Sequence, residues 1–412
     1  MVRTWNGDAA TLEGPRSLTA DELPDAVALS TGIFSPGGTS MGMQFPLLFS
    51  PENAGNLRVF SECGRIVSLV GCLRQTIWVD GHPLPVGSVG SVCTKPEHRG
   101  RGLAGRLVYD VFAQLEAVGI PLALISGDRG LYKQLGCVEA GCFERFEVAR
   151  EDWAQAARRS EGSRARGNGV WFRLFQEGDL ALLHNLYQGE PVRFGRTLEE
   201  FDRLIWRCPG LKRLFGDERV VVSYRGRLDQ VSAYVITRLR TAQDGSSKLH
   251  IVEYAGDRED VIDAISYAVR QDSPSVITLT IPAWDTNSLR LLNAGGLWGL
   301  RSTLPGHTLY VTSVRALMEK LSSYIKERLG THPGTDGFTL RESGDPESGL
   351  ARWILGVGGE EVEIPSRQHL TRLIFGGLST EELQRIAPHE RPRRVLATVF
   401  PVPLPVPGLN YV

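Results

Sequence analysis

The order of apolar and polar positions predicts alternating strands and helices over the first third of the chain. The turn at Val79–His82 separates two apolar runs, Gln75–Val79 and Leu84–Cys93, and predicts a β-hairpin. Apolar residues recur every fourth position from Leu103 to Leu115, which is typical of a helix with one buried face. The same reasoning predicts a helix after Thr19, strands at Leu57–Phe60, Ile66–Leu73 and Pro121–Ser126, a short helix at Arg129–Leu135 and a closing strand at Val138–Val148.

Two segments lack this periodicity. The first fifteen residues show no clear pattern, and we expect them to be loose. Glu151–Gly169 holds four arginines among glycine and serine, with few large apolar residues after Trp153. We expect a solvated loop there. A polyanion-binding arm is the alternative, and nothing else in the chain favours it.

The next segment repeats the first in outline. It contains strands at Val220–Tyr224, Val231–Leu239, Leu249–Tyr254 and Val276–Ile281, with helices at Glu259–Arg270 and Asp285–Ala294. Strand, helix, strand, short helix and glycine follow one another as they do in residues 84–136, so we infer a second copy of the same fold.

After Tyr310 the pattern changes to a small unit of helices and short strands. Its predicted elements are a helix at Val314–Arg328, strands near Phe338–Arg341, Ala351–Gly356 and Glu361–Ile364, and helices at His369–Phe375 and Glu381–Ile386. The last apolar stretch, Val395–Val412, contains four prolines and is predicted not to be helical.

Composition narrows the class of protein. A chain of 412 residues with 42% hydrophobic residues can build two or three domains, and a net charge of -1 gives no case for nucleic acid. The six cysteines form no C-x-x-C pair and no zinc spacing, so we expect reduced thiols and no metal. We find neither a signal peptide nor an apolar run of membrane-spanning length, and we expect a cytoplasmic protein without a membrane partner.

A glycine-rich turn, Thr94–Gly105, joins the predicted strand Val86–Val92 to the helix that follows, and we call it the cradle. Backbone N–H groups at a helix start have no intrahelical partner and lie at the positive end of the helix dipole, so such a turn suits a phosphate. Two arginines, Arg99 and Arg101, add charge, while Gly100 and Gly102 let the backbone approach closely. The spacing fits neither the dinucleotide fingerprint nor the P-loop.

The spacing that does fit is R-x-x-G-x-G/A, read as Arg99-Gly100-Arg101-Gly102-Leu103-Ala104. It resembles the coenzyme A pyrophosphate motif of the GCN5-related N-acetyltransferases (GNAT), which implies acetyl-CoA as the cofactor. Val92, Cys93 and Thr94, where the predicted strand meets the cradle, match the splayed end of the family's fourth strand. In that family, a backbone N–H there polarises the thioester carbonyl. The cofactor-binding residues implied are Val92, Cys93, Thr94, Arg99, Gly100, Arg101, Gly102, Leu103, Ala104, Gly105, Gly127 and Asp128.

Tyr132 stands in a segment that resembles the family's Y-x-x-x-G pattern. The resemblance implies a general acid that protonates the coenzyme A sulfur, while a half-buried packing aromatic is the alternative. The second copy has Leu291 at the equivalent position, and Asp257, Glu259 and Asp260 at its helix start would repel a pyrophosphate. We therefore expect one active site per chain.

Four features carry a wider resemblance: the motif at 99–104, Tyr132, the acidic turn of the second copy, and the predicted helix Leu370–Gly376 in the third unit. Through them, nearly all of residues 17–412 resembles the Eis-type acetyltransferases (enhanced intracellular survival). The resemblance implies an α+β fold of mixed sheets: a catalytic GNAT domain at 1–150, a degenerate GNAT domain at 151–311 and a sterol-carrier-protein-like domain at 312–412. It also implies a homo-oligomer, a trimer or a hexamer, and an aminoglycoside, polyamine or lysine-like amine as acceptor. The C-terminal carboxylate of Val412 would act as the base, with Tyr411 as a wall of the acceptor pocket, although that family ends in Phe.

Other assignments stay open at this point. Glu97, His98 and Asp128 are further candidates for the base, and the tail could instead only pack against the third domain. Cys93 is a conceivable nucleophile, but direct transfer without an acyl-enzyme favours a small apolar strand residue. A non-catalytic acyl-CoA sensor and a lipid-binding scaffold are the two alternative functions.

Overall fold

Strands and helices alternate through the first half of the molecule in the predicted order. The computed structural model describes residues 12–127, 130–163, 169–206, 217–226, 230–330, 338–343, 352–357 and 359–412. Its first half contains β1 (Leu12–Ser17), α1 (Leu23–Phe34), α2 (Met41–Gln44), β2 (Arg58–Glu62), β3 (Arg65–Val79), β4 (His82–Thr94), α3 (Leu103–Ala117), β5 (Leu122–Ile125), α4 (Gly130–Gln134) and β6 (Val138–Ala149). The predicted hairpin is confirmed, because Asp80 and Gly81 take φ values of 48° and 87° and join Val79 to His82 in a tight turn.

The second half holds the elements of the inferred repeat and several that the sequence did not predict. It contains α5 (Arg150–Ser163), β7 (Val170–Leu174), α6 (Leu180–Gln188), β8 (Val192–Phe194), α7 (Leu198–Trp206), β9 (Asp217–Arg225), β10 (Val231–Thr241), β11 (Ser247–Gly256), α8 (Arg258–Asp272), β12 (Val276–Pro282), α9 (Thr286–Ala294) and β13 (Arg301–Val311).

Two expectations about irregular segments are wrong. Residues 12–15 belong to β1, which is ordered by pairing with β2 at the edge of the sheet. The predicted loop after residue 150 is the helix α5 as far as Ser163. Trp153 is buried there, and its indole N–H donates to Ser266 of α8 at 3.0 Å. One buried aromatic and its tertiary partner outweigh the polar composition of the segment.

The strands of both halves form one continuous mixed sheet. The strand order is β1-β2-β3-β4-β5-β13-β6-β12-β11-β10-β9-β7, with β8 paired to β3. The strand predicted to close the first half, β6, does not pair with β5; it lies between β13 and β12, antiparallel to both. The last strand of the second half, β13, takes the place beside β5. Each half therefore completes the sheet of the other.

The C-terminal unit covers one face of the first half. It contains α10 (Val314–Leu329), β14 (Thr339–Ser343), β15 (Arg352–Val357), β16 (Glu360–Ile364), α11 (Arg367–Phe375), α12 (Thr380–Ile386) and α13 (Glu390–Val399). Its apolar residues share a core with Ile77, Val86 and Leu124 of the sheet, whereas α3 packs with Val89 and Ala123 on the other side. Helix α13 contradicts the expectation of a non-helical stretch from Val395, since helical structure continues to Val399 and ends before Pro401.

Beyond α13 the chain runs without a strand or an α-helix to Val412, and we call residues 400–412 the tail. It leaves the C-terminal unit, where the Val402 N–H donates to the Ile374 carbonyl at 2.6 Å, and it ends in the first half. No helix in the described residues combines the length and the apolar character that a membrane crossing requires.

Candidate active site

The cradle has the backbone geometry that its sequence predicts. Gly100 and Gly102 both take left-handed φ values, 76° and 70°, and α3 begins at Leu103 immediately afterwards. No side chain caps this helix start among the described residues, and a Cβ atom at either glycine would meet nothing within 4 Å. The start of α3, at Leu103, Ala104 and Gly105, therefore has no capping side chain, and the turn before it has space on the Cβ side of both glycines. A phosphate fits such a site.

The two arginines of the cradle are held loosely, whereas His98 is held more tightly. Arg99 is exposed and donates to the Thr94 carbonyl at 3.2 Å, and the exposed Arg101 reaches Glu62 at 3.3 Å. His98 is bound more tightly, with its Nε2 2.8 Å from the other Glu62 oxygen. The hydrogen bond from His98, followed by that from Arg101, holds the pKa of Glu62 below its ordinary value. Sequence reasoning missed Glu62, because it comes from the distant strand β2.

Strands β4 and β5 separate next to the cradle. Their parallel pairing ends at Val89 and Ile125. Just beyond, the register of β4 against β3 shifts between Gly90 and Cys93, and Ser91 takes a left-handed φ of 50°. This is a β-bulge, which frees backbone groups from the ladder. The bulge, at Ser91 and Val92, overlaps the start of the segment Val92–Thr94 in which the family resemblance placed the splay.

The three strand residues assigned to the cofactor have different surroundings. Val92 faces α3 in an apolar core, and the Thr94 hydroxyl is 2.8 Å from that of Ser68. Cys93 is 4% exposed and packs with Leu69 and Val412. These surroundings favour the interpretation of Cys93 as a small apolar strand residue.

The C-terminus of the chain enters the gap between β4 and β5. The hydroxyl of Ser126, just after β5, donates a hydrogen bond to the terminal oxygen of Val412. On the β4 side, a Cβ atom at Gly90 would lie 2.4 Å from the carboxyl carbon of Val412, so only glycine leaves room for it. The Val412 side chain is buried beside Cys93. The terminal carboxylate therefore lies where the two strands part.

Tyr132 lies on α4 with its ring buried, 2% exposed, in the same apolar core as Val92 and Ile125. A Cβ atom at Gly127 would lie 3.7 Å from its Cε2 atom. The Gly127 carbonyl in turn accepts from Thr308 of β13 at 2.8 Å. Asp128 lies outside the described residues, so its two proposed roles are not located.

A cavity of about 340 Å³ opens beside the Val412 carboxylate. Two acidic groups line it, that carboxylate and Glu139, and Tyr411 forms part of its wall next to Phe45. The His307 ring in the lining stays neutral at pH 7, because burial lowers its pKa to about 4 although its hydrogen bond to Pro405 opposes the shift. These two carboxyl groups are what a cationic ligand in the cavity would contact, and Glu139 is also 3.7 Å from Lys133 Nζ.

The corresponding turn of the second half is already filled by the protein's own carboxylates. Asp257 caps α8 by accepting from the N–H groups of Glu259 and Asp260 at 3.0 and 3.1 Å. Glu190 accepts from the Gly256 N–H at 2.9 Å, and Arg258 donates to Glu190 and to Asp285. Within the described residues, the N–H groups of Gly256, Glu259 and Asp260 at this turn are thus already bonded to carboxylates.

No cluster of three or more metal-ligating side chains occurs in the part of the chain that the structure describes.

Comparison with known proteins concerns the fold and the first domain. Residues 15–140 match the family model described as an acetyltransferase (GNAT) domain. No curated protein matches the chain. Among solved structures, a GCN5-related N-acetyltransferase from Anabaena variabilis is 15% identical with a TM-score of 0.61, covering 95% of this chain and 96% of its own.

Two further structures share the fold over nearly the whole chain. Eis1 from Mycobacterium abscessus is 15% identical with a TM-score of 0.60, covering 95% of this chain and 96% of its own. A probable N-acyltransferase from Enterococcus faecalis is 15% identical with a TM-score of 0.64, covering 97% and 98%. At this identity the likeness concerns the fold alone, and the match to the acetyltransferase (GNAT) domain model is confined to residues 15–140.

Proposed function

We propose, from the GNAT acetyltransferase domain of residues 15–140, that the chain is an N-acetyltransferase that transfers an acetyl group from acetyl-CoA directly to a primary amine. One observation supports this most strongly: the Val412 carboxylate lies at the gap between β4 and β5, against Gly90, where the bulge of β4 begins. A carboxylate at that place suits a general base, which is the role that the family resemblance implied for Val412.

The donor would bind through its pyrophosphate on the cradle. The left-handed glycines, the uncapped helix start and the exposed Arg99 and Arg101 supply hydrogen-bond donors and charge for it. The closed turn of the second half supports a single donor site per chain. The acetyl group specifically, rather than a longer acyl chain, is part of this proposal.

In the reaction, the amine nitrogen forms a bond to the thioester carbonyl carbon, the carbon–sulfur bond breaks, and the products are an N-acetyl amide and coenzyme A. The Val412 carboxylate takes the proton that the acceptor's alkylammonium group must lose. An alkylammonium has a pKa of about 10, and this charged form is no nucleophile. Backbone N–H groups freed at the Ser91–Val92 bulge polarise the carbonyl oxygen.

Tyr132 would give its hydroxyl proton to the leaving thiolate. The ring lies behind Gly127, which lines the cavity, and it is held in the core by Val92 and Ile125. A ring that is buried and fixed keeps its hydroxyl in one position, and general acid catalysis requires a proton donor held in the right geometry.

The acceptor would be a cationic amine held in the cavity by the carboxylates of Val412 and Glu139. An aminoglycoside, a polyamine and a lysine side chain all meet this condition. We also propose that the protein is a cytoplasmic homo-oligomer, a trimer or a hexamer, and that residues 312–412 are a sterol-carrier-protein-like domain.

A short extension of the C-terminus tests the role of the carboxylate. Adding two glycines after Val412 moves the charge out of the gap, and we expect kcat to fall by about 100-fold with little change in KM for acetyl-CoA. Val412→Leu keeps the carboxylate in place and serves as the control. Unchanged turnover in the extended protein would refute the base assignment.

The alternative functions are separated by titrating acetyl-CoA with a panel of amines and measuring free thiol. Thiol release that depends on the amine supports the transferase. Binding without thiol release over the whole panel would indicate a sensor, and no binding would indicate a scaffold.

A further inference from the structure

A buried ion pair lies in the second half, away from the cradle. Arg196 and Glu253 form two parallel hydrogen bonds of 2.9 and 2.7 Å, with side chains only 1% and 7% exposed. The Tyr234 hydroxyl donates to the same carboxylate at 2.9 Å, and the Arg196 guanidinium stacks 3.9 Å from the centre of the Tyr187 ring. The fold therefore holds a fully partnered charge pair in its interior.

This pair binds the tail. The Leu409 N–H donates to Glu253 at 3.1 Å, and the third donor of Arg196, its Nε–H, reaches the side-chain oxygen of Asn410 at 2.6 Å. At Gly408, whose φ is 53°, a Cβ atom would lie 2.5 Å from the Glu253 carboxylate. Three consecutive tail residues thus contact the ion pair: Leu409 and Asn410 through hydrogen bonds, and Gly408 through close packing on the Glu253 carboxylate.

The ion pair is charged in the folded protein. Burial opposes the charge on Arg196, but the adjacent Glu253 outweighs it and raises the Arg196 pKa. Burial likewise opposes ionisation of Glu253, but Arg196 and the two other donors keep the pKa of Glu253 below its ordinary value. Charged donors and acceptors hold a bound segment directionally, which apolar contacts do not.

Only Tyr411 separates the clamped Asn410 from Val412, and the tail has further anchors upstream. Trp284 donates to the Leu404 carbonyl at 3.0 Å, and His307 contacts the Pro405 carbonyl at 2.9 Å. Each residue spans at most about 3.6 Å, and Val412 is two residues after Asn410. A shift of Asn410 therefore moves the terminal carboxylate as well.

We propose that Arg196 and Glu253 are positioning residues for the Val412 carboxylate. The second half, whose own cofactor turn is filled, thereby contributes to the active site of the first by holding the last residues of the chain in register. This inference rests on the proposed function, since it assumes that the carboxylate takes part in the reaction.

The test begins with Arg196→Met, which keeps much of the side-chain volume and removes every donor. We expect kcat to fall by about 30- to 100-fold while KM for acetyl-CoA stays within about twofold, because loss of register affects the base and leaves the cradle intact. Arg196→Lys keeps the charge and should recover part of the loss. Arg225→Met breaks a bidentate pair with Asp260 in the same half that does not contact the tail, and serves as the control.

Arg196→Met leaves Glu253 buried without its partner and could unfold the second half. Asn410→Ala is the second variant, because it removes one tail contact and leaves the ion pair intact. Release of Val412 by a carboxypeptidase, followed by intact mass, reports the clamp without reference to activity. We expect release at least about tenfold faster from Asn410→Ala than from wild type or Arg225→Met. Equal rates in all three would overturn the clamp.

Combining Arg196→Met with the two-glycine extension separates the two proposals. If the pair acts through the carboxylate, the double variant is no slower than the extended protein alone. Additive losses would overturn the positioning role and leave the base assignment standing. An extension without effect would refute the base assignment and with it the positioning role, whatever the carboxypeptidase shows about the clamp.

Discussion

At the scale of single residues, the site depends on a few side chains whose surroundings decide their chemistry. Cys93 lies beside the gap between β4 and β5 yet packs among apolar residues, and His98 is engaged with Glu62 at the side of the cradle. Each has a local partner that the sequence could not show. Val412 lies in the gap itself, and the ring of Tyr132 lies beside Gly127.

Replacing Tyr132 by Phe tests its role as acid. We expect kcat to fall by about 100-fold and KM for acetyl-CoA to change little, since the ring still fills its place in the core. Steady-state kinetics with a free-thiol readout measure both. Tyr109→Phe, at an exposed residue of α3, is the matched control. Equal loss of turnover and of cofactor affinity would contradict the assignment.

His307 makes stability depend on pH. Its pKa is about 4 when folded against about 6.5 when unfolded, so below pH 6.5 the unfolded chain binds a proton that the folded protein does not. Stability is therefore full above that value and falls as the pH drops toward 4. The expected loss between pH 7 and pH 5 is about 2 kcal/mol.

Urea unfolding of His307→Gln at pH 7 and pH 5 checks this. Glutamine can still donate to Pro405 but does not titrate, so the difference between the two pH values should shrink by about 2 kcal/mol. His389→Gln, at an exposed imidazole, is the control. A variant with the pH dependence of the wild type would contradict the expectation.

At the scale of elements, the same strand–turn–helix unit occurs twice with opposite outcomes. In the first half, α3 starts at a left-handed glycine and its amides stay open. In the second half, Asp257 at the start of α8 accepts hydrogen bonds from two backbone N–H groups of that helix. Glu190 accepts a third hydrogen bond, from the Gly256 N–H. The two turns therefore differ in how their donors are capped, because Asp257 of the same turn and Glu190 of a distant segment occupy the donors in the second half.

Gly102→Ala tests the open turn. A methyl group would have space, but a φ of 70° is unfavourable for alanine, so the turn should relax and KM for acetyl-CoA should rise by about tenfold. Gly81→Ala, at the β3–β4 turn with a φ of 87° and equal space, controls for the cost of left-handed backbone. If both variants bind acetyl-CoA equally well, the cradle is not its site.

Prediction of elements succeeded where a pattern was strong and local. The hairpin of β3 and β4, the helix α3 and the elements from β9 to α9 are confirmed. Helix α5 and strand β1 were missed because a tertiary partner orders each of them: Ser266 for Trp153, and β2 for the residues that begin at Leu12. Propensity summed over a polar segment cannot register one buried contact.

At the scale of the whole molecule, the two halves are completed by each other. β13 lies beside β5, β6 lies beside β12, and the two exchanged strands pair together. The exchange also brings Thr308 and His307 of β13 to the cavity of the first half. The second half thus contributes residues to the cavity of the first.

A calorimetric titration with acetyl-CoA should give one binding site per chain. The cradle supplies open donors, and the equivalent donors of the second half are occupied by Asp257 and Glu190. Gly102→Ala should weaken this single binding event. A second site of similar affinity would contradict the closure of the second turn.

The sequence by itself determined the α+β class, the cradle with its glycines and arginines, and the acidic turn before α8, while the repetition of the fold stays a prediction. These are properties of short segments, which residue type and spacing define. Only the tertiary structure decided the exchange of β6 and β13, the buried pair of Arg196 and Glu253, and the arrival of Val412 at Ser126, 286 positions away. Periodicity describes the neighbours of a residue along the chain, whereas these contacts arise from how distant segments pack.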